Sequence, residues 1–501
     1  MSHKKIVIIG AGISGLSAGC YARMNGYEVE IHEAHTQPGG LCTGWKRGEY
    51  WIDGCLHWLM ASRPGSELHK VWEELGAVQG RQFYHHDVFS SLTGLDGRKL
   101  SFYTDVDRLE DHLNQLSPRD ASATRAMCAL IRRMGGFQAP IKTPEVMGPL
   151  GGVAMMAKML PYMNDFMEIS SLTLGQLGAR FQDPLICQAI SNVIWDDNIP
   201  ALALILTLAQ MNRKDAGFPL GGSLAFARSI AQRFLDLGGR IVYRSRVSKI
   251  LERNGQVCGV QLADGAQVDA DYVISASDLH KTLYALLDGS RVDPLHRQLL
   301  ETGRTYAPML MVTFGVNMDF SHEITCIGAN YQLAAPLILG GMNYNQIGVK
   351  NYCYDPSMAP AGKSVVGAGF NADWKFWEGL PYNSPAYCDA KERILEMTQG
   401  TLEQYYPGFA SRIEMVDVAT PHSYERYTAN RHGIFMSWVL DGEFQRRHPY
   451  IPKTVPGLGG LYLASMWTKA PGGVPGAALA GRDVVQIICR QEGKRFVAAR
   501  P

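Results

Sequence analysis

The 501-residue chain lacks most of the signatures that assign a function at a glance. Its ten cysteines are scattered and none forms C-x-x-C. Neither a disulfide framework nor a thiolate zinc site is expected, and the thiols read as reduced and packed. Lys plus Arg number 48 and Asp plus Glu 47, a balance with no basic surface for nucleic acid. No apolar run reaches the roughly 18–20 residues of a spanning helix. No Ser-His-Asp order, H-E-x-x-H or P-loop occurs. His85-His86-Asp87 lacks ligand spacing and is expected on a surface strand, so no metal site is expected. Gly367-Ala368-Gly369 has no third glycine, so a second nucleotide domain is not expected. No apolar signal core precedes the first strand, which points to the cytoplasm.

What is present starts at residues 4–34, KKIVIIGAGISGLSAGCYARMNGYEVEIHEA. Residues 4–9 read as a buried parallel strand. Gly10, Gly12 and Gly15 fit G-x-G-x-x-G, residues 14–24 have helical spacing from Ser14 onward, and residues 27–32 form a second strand ending at Glu33. Gly10 permits the tight turn, Gly12 lets backbone approach a pyrophosphate, and Gly15 lets helix and strand pack closely. The helix N-terminus favours phosphate, and Glu33 can accept from a ribose hydroxyl. Glu33 stands 18 residues beyond Gly15, near the motif's spacing of roughly 20. An acid there disfavours a 2′-phosphate, and so NADP.

Two stretches are apolar without being long enough to span a membrane. Residues 148–163 carry Met155, Met156, Met159 and Met163, with Met167 just beyond, and residues 199–211 read IPALALILTLAQM. Either they are buried helices, or they line an apolar channel or dip into a bilayer. Further on, residues 223–237 are amphipathic, 247–253 and 257–262 form a hairpin through Asn254-Gly255, and 272–275 is another strand. Residues 309–316 read as a strand and 389–405 as a long helix, and a glycine-proline turn leads into a final helix over 472–485.

Four blocks together resemble the phytoene desaturase-like flavoproteins, a group with bacterial carotenoid desaturases and retinol saturases inside the flavin amine oxidase superfamily. They are residues 9–34 with Gly39-Gly40, residues 219–278, TPHSYERYT at 420–428 followed by Gly433, and LYLASMWTKAPGGVPGAALAG at 461–481. The resemblance implies an α/β fold: a Rossmann-type FAD-binding domain with an inserted α+β substrate domain. FAD binding would be built from residues 1–65, 217–290 and 451–501. A mainly helical cap over 66–216 and a sheet-and-helix part over 291–450 would form the substrate domain. It implies FAD with Gly10, Gly12, Ser14 and Gly15 at the pyrophosphate, Glu33 and Ala34 at the adenosine ribose, and Val247 at adenine. Gly39, Gly40 and Leu41 would flank the ribityl chain. Met466, Gly472, Gly473 and Val474 would lie by the flavin ring. Two positions depart from the superfamily: Leu41 stands where Arg is frequent, and Ser465-Met466 where Gly-Asp or Gly-Glu is.

A flavin hydride reaction on a hydrocarbon needs an apolar slot and one proton donor or acceptor. By position, Asp53, Cys55 and His57 are candidates beside the flavin. Trp195, Asp196, Asp197 and Asn198 form a second group. For His57 the alternative is a structural hydrogen bond; for Asp196 and Asp197 it is a turn or helix cap. The expected activity is desaturation or saturation of a C–C bond in a large isoprenoid, with oxygen, a quinone or a carrier as electron partner. Peripheral contact at the inner membrane face would let such an enzyme collect its substrate. An amine oxidase, with Trp438 and Trp467 as cage candidates, a redox-neutral flavin isomerase and a non-catalytic flavin-binding protein are the competing readings.

Overall fold

The computed structural model describes residues 4–138, 140–194, 196–323, 325–470 and 472–501. The glycine-rich start folds as its spacing predicts: strand β1 (Lys5–Ile9), helix α1 (Ile13–Met24) and strand β2 (Glu28–His32). They enter a nine-stranded sheet. Lys5–Ile9 lies at its centre, parallel to Glu28–His32 on one side and to Tyr272–Ser275 on the other. Arg240–Val242 extends one edge, and Leu458–Leu463 follows Tyr272–Ser275, again in parallel. The apolar run Ile6, Val7 and Ile8 is fully buried, as a central parallel strand covered on both faces requires. The hairpin Val247–Arg253/Gln256–Leu262 closes the far side. Its turn residues Asn254 and Gly255 have φ of 51° and 73°, the left-handed pair that a tight hairpin needs.

The final helix, Gly473–Gln491, crosses α1 at backbone contact. A Cβ on Gly481 would come within 2.3 Å of the Ser14 carbonyl oxygen. The two ends of the chain are therefore locked together over the nucleotide-type sheet.

A second, seven-stranded sheet runs Ile413–Ala419, Met309–Val316, Ser364–Asn371, Met342–Asn351, Gly328–Leu339, Val88–Thr93, Lys99–Tyr103. Val88–Thr93 joins it parallel to Gly328–Leu339. Residues from both 66–216 and 291–450 thus build one sheet. The long helix Pro385–Tyr405 packs Tyr387, Ile394 and Leu402 against it. Helices Val106–Leu116, Ala121–Met134, Pro184–Ser191 and Leu202–Asn212 form a layer over the Val88–Thr93/Lys99–Tyr103 hairpin, whereas Glu67–Glu74 packs Val71 and Trp72 into the core of the first sheet.

The two apolar stretches part company here. Leu202–Asn212 is buried, with Leu204 and Ile205 at 0% exposure. Pro149–Met159 has no buried residue at all. His86 also departs from expectation. It is buried at 4% exposure, with Tyr84 and Tyr354 edge-on to its ring, because the chain turns inward there to enter the second sheet. Gly367-Ala368-Gly369 lies within the Ser364–Asn371 strand, not in a phosphate-binding turn.

Candidate functional site

A cavity of about 990 Å³ opens along the carboxyl ends of the parallel strands, where open α/β sheets bind ligands. Each strand contributes: Gly10 after β1, Glu33 and Ala34 after β2, Val247 after Arg240–Val242, Ser277 after Tyr272–Ser275. Gly12, Ser14, Gly39, Gly40 and Leu41 line it as well, and so do Met466, Gly472, Gly473 and Val474. Gly15 does not reach the cavity. Its task is packing: a Cβ there would lie 2.0 Å from the Gly10 carbonyl oxygen. Gly10 needs its φ of +97° for the turn.

These residues can hold a dinucleotide, as the shape of the cradle shows. A Cβ on Gly12 would meet no protein atom closer than 3.9 Å, so the space it would take belongs to the cavity. No side chain caps α1 at Gly12 or the final helix at Gly472, which leaves the amides of both first turns for a ligand. The Glu33 carboxylate is held at the rim by the Ala11 amide at 2.7 Å and the His35 amide at 2.8 Å. Ser465 lines the cavity.

The block at 420–428 supplies residues the motif did not single out. Helix Pro421–Thr428 begins at a capping box of Thr420 and Ser423 and delivers Arg426, Tyr427 and Thr428 to the cavity, followed by Asn430. Gly433 lets this segment fold back, since a Cβ would sit 2.2 Å from the Pro421 carbonyl oxygen. Asn430 accepts from Trp467 Nε1 at 3.2 Å. Trp467 does not stand apart from Trp438: their rings lie 4.9 Å apart, edge to face. Trp438 is buried at 1% exposure and does not line the cavity, whereas Trp467 does, so the two do not both face the cavity as a cage would require.

A family model described as flavin containing amine oxidoreductase matches residues 13–489. The chain belongs to this family. It is 24% identical to the phytoene desaturase (lycopene-forming) of Pseudescherichia vulneris, over 97% of this chain and 99% of that protein. It is 24% identical to the chloroplastic prolycopene isomerase of Arabidopsis thaliana, over 86% of this chain and 73% of that protein. The cyclohexylamine oxidase of Brevibacterium oxydans shares the fold, with TM-score 0.62 at 14% identity over 98% of this chain and 100% of that one. The protein is an FAD-dependent oxidoreductase of the phytoene desaturase-like kind.

Beyond the glycine cradle this oxidoreductase has an apolar end. Trp58, Phe137, Met155, Met159, Phe166 and Leu206 line it. Of the five methionines expected there, Met155 and Met159 reach the cavity, four residues apart on one helical face. Met156 and Met167 point outward, at 53% and 61% exposure. The charged residues at this end are mostly cations: Arg63, Lys142 and Arg213. Asp215, the acid among them, accepts the Arg63 amide at 2.8 Å.

The catalytic candidates separate. His57 lines the cavity. Asp53 does not: it is buried, and its carboxylate accepts from Ser223 N at 2.6 Å, Ser223 Oγ at 2.7 Å and Cys55 N at 3.1 Å. It therefore anchors the start of helix Gly222–Asp236. Burial raises its carboxyl above the usual range, opposed first by Lys350. Asp196 and Asp197 do not line the cavity either. Asp196 accepts from Asn198 N at 2.9 Å, and Asp197 from Asn198 Nδ2 at 2.8 Å. They form an Asx-type turn on the surface, the alternative that adjacent acids and asparagine allow. Trp195 lies outside the described residues. Ile199 and Pro200, just after the turn, are the ones that reach the cavity.

The residue that sequence reasoning passed over is Lys350, on strand Met342–Asn351. It is buried at 6% exposure. Its Nζ lies 3.2 Å from His57 Nδ1 and 3.4 Å from the Leu56 carbonyl oxygen. Tyr352 and Phe218 present their faces to it at 4.4 and 5.1 Å. The signal was a single lysine inside the buried stretch Ile347–Asn351, where a charge needs a partner.

Proposed function

We propose that this FAD enzyme removes hydrogen from, or adds it to, a carbon–carbon bond of a long, carotenoid-like polyene. The observation that carries the reading is the apolar end of the cavity, continuous with the dinucleotide cradle, where the lining acid Asp215 is engaged by the Arg63 amide and sits among cations. Gly10, Gly12, Ser14 and Glu33 would seat the pyrophosphate and ribose, Val247 the adenine, and Gly39–Leu41 with Met466, Gly473 and Val474 the remainder. When bound, flavin supplies a hydride acceptor or donor. His57 supplies the polar contact on the substrate side. Asp53 acts from behind the cavity wall through charge and packing, and Asp196 and Asp197 take no part. Residues 66–216 and 291–450 act together as one substrate domain, sharing the seven-stranded sheet.

Pro149–Met159 would rest on a bilayer. Its inner stripe, Met155 and Met159, lines the cavity. Its outer stripe, Leu150, Val153 and Met156, is 87%, 69% and 53% exposed, and Leu160 just beyond is 70% exposed. A helix apolar on both faces is normally buried. Here the outer face needs an apolar solvent, and Lys142 and Arg63 beside it suit anionic headgroups. Among the described residues no helix is long and apolar enough to cross a membrane, so the contact would be peripheral.

A redox-neutral isomerase is the second reading, favoured by the likeness to the prolycopene isomerase. Anaerobic incubation with a panel of polyenes, retinoids and amines, followed by product mass, separates them. A change of two hydrogens in a polyene supports the proposal. An isomer of unchanged mass supports the second reading. Turnover of amines alone sinks both.

A further inference from the structure

His57 and Lys350 form a built pair at the cavity wall. An ammonium has only donors, so the 3.2 Å contact makes His57 Nδ1 the acceptor. The proton of the ring is then on Nε2. Lys350 is not among the cavity-lining residues, whereas His57 is. The lysine thus meets the Nδ1 edge of the ring from behind the cavity wall. We infer that Lys350 is a positioning residue that holds His57 as an Nε2–H donor toward the cavity and passes one proton through it. The pairing stands on the geometry alone; its use in turnover rests on the function proposed above.

The electrostatics agree. Burial first, then the Lys350 charge, hold His57 well below its ordinary value. Burial lowers Lys350 to about 8, opposed by Asp53, Cys326 and Cys55. His86, buried beside them, falls to about 3 and is neutral. At neutral pH the pair therefore carries one positive charge, on the lysine. Two bonds break and two form when the proton moves. Nε2–H passes to an acceptor in the cavity while Nζ–H passes to Nδ1. The imidazole stays neutral with its tautomer reversed, the lysine ends neutral, and the acceptor gains one proton. The reverse sequence takes a proton from substrate. A reaction that draws a proton from the pair slows as pH rises through about 8; one that delivers a proton to it speeds up. The sign of this limb reports the direction of the hydrogen transfer.

The test is nitrogen NMR of histidine-labelled, FAD-loaded protein, with His57 assigned by its loss in His57→Gln. Expected is a neutral Nε2–H ring from about pH 6 to about pH 7, where the lysine is charged. In Lys350→Met the ring should mix tautomers and titrate nearer its ordinary value. An Nδ1–H or cationic ring in the wild type, or an unchanged ring in Lys350→Met, overturns the inference. With a polyene that turns over, Lys350→Met should lose about a hundredfold in turnover at unchanged FAD affinity. Lys350→Arg keeps the donor and the tautomer but does not titrate in this range, so the limb near pH 8 should vanish. A limb that is missing in the wild type, or that survives in Lys350→Arg, overturns the relay. The spectra need no substrate. If every polyene fails while the spectra are as expected, the proposed function falls and the pairing stands.

Discussion

Glu33→Ala should separate cofactor affinity from fold. Its carboxylate accepts two backbone amides, Ala11 N at 2.7 Å and His35 N at 2.8 Å. Both are short, charge-assisted bonds. Ala11 is wholly buried, so its amide finds no water when the acceptor goes. The apoprotein should lose about 1–3 kcal/mol, the cost of one unsatisfied buried donor. The ligand loses more, because the carboxylate that lines the cavity would also accept a ribose hydroxyl. A further charge-assisted bond lost at about 1.5–3 kcal/mol predicts FAD binding weaker by about tenfold to a hundredfold. Glu33→Gln keeps one acceptor oxygen but turns an amide N–H₂ toward the second backbone donor, so it should fall between wild type and alanine. Flavin fluorescence titration measures the affinity, and a thermal melt of the apoprotein measures the fold. Wild-type FAD affinity in a folded Glu33→Ala protein would refute the ribose role.

Four further outcomes follow from the geometry. Gly12→Ala should fold but retain no FAD, since its Cβ has no protein neighbour within 3.9 Å, whereas Gly15→Ala should fail to fold, with its Cβ 2.0 Å from Gly10 O; circular dichroism and flavin content distinguish them. Leu150→Glu with Leu160→Glu should abolish flotation with anionic liposomes and leave FAD content unchanged, while Met155→Glu should raise KM for a polyene and leave flotation intact. Leu204→Glu, at 0% exposure, should instead unfold the helical layer, losing roughly 3 kcal/mol or more by burying an unpaired charge. Lys453 pairs with Glu145 at 2.6 Å and sits 3.8 Å from buried Asp483, so Lys453→Met should cost about 3 kcal/mol, read as a lower Tm.

The parts of this molecule that could be read from sequence are those whose causes are local. β1, α1 and β2 begin and end within a residue or so of the boundaries expected from strand, glycine turn, helix and acid, and the Asn254-Gly255 hairpin has the turn its residues demand. The seven-stranded sheet was not legible, because it joins Val88–Thr93 to Gly328–Leu339 across more than two hundred residues and no local pattern encodes that pairing. Apolar composition did not say which stretch would be buried: Leu202–Asn212 and Pro149–Met159 look alike as strings and differ only in what packs against them. Gly10, Gly12 and Glu33 could be named ahead of the cavity they line, because a phosphate cradle would demand them in order. Lys350 was missed because its partner, His57, lies 293 positions away. Asp196 and Asp197 drew attention as acids in an apolar context, yet Asn198 completes a surface turn that uses both carboxylates.

The measurement that bears most directly on the central claim is an anaerobic single turnover of the FAD-loaded protein with a polyene presented in liposomes, followed by flavin absorbance. The account predicts that oxidised flavin bleaches with a more saturated polyene, or that reduced flavin reoxidises with a less saturated one, at one flavin per pair of hydrogens moved. Flavin that is unmoved by polyenes in either redox state, yet bleached by an amine, would contradict it.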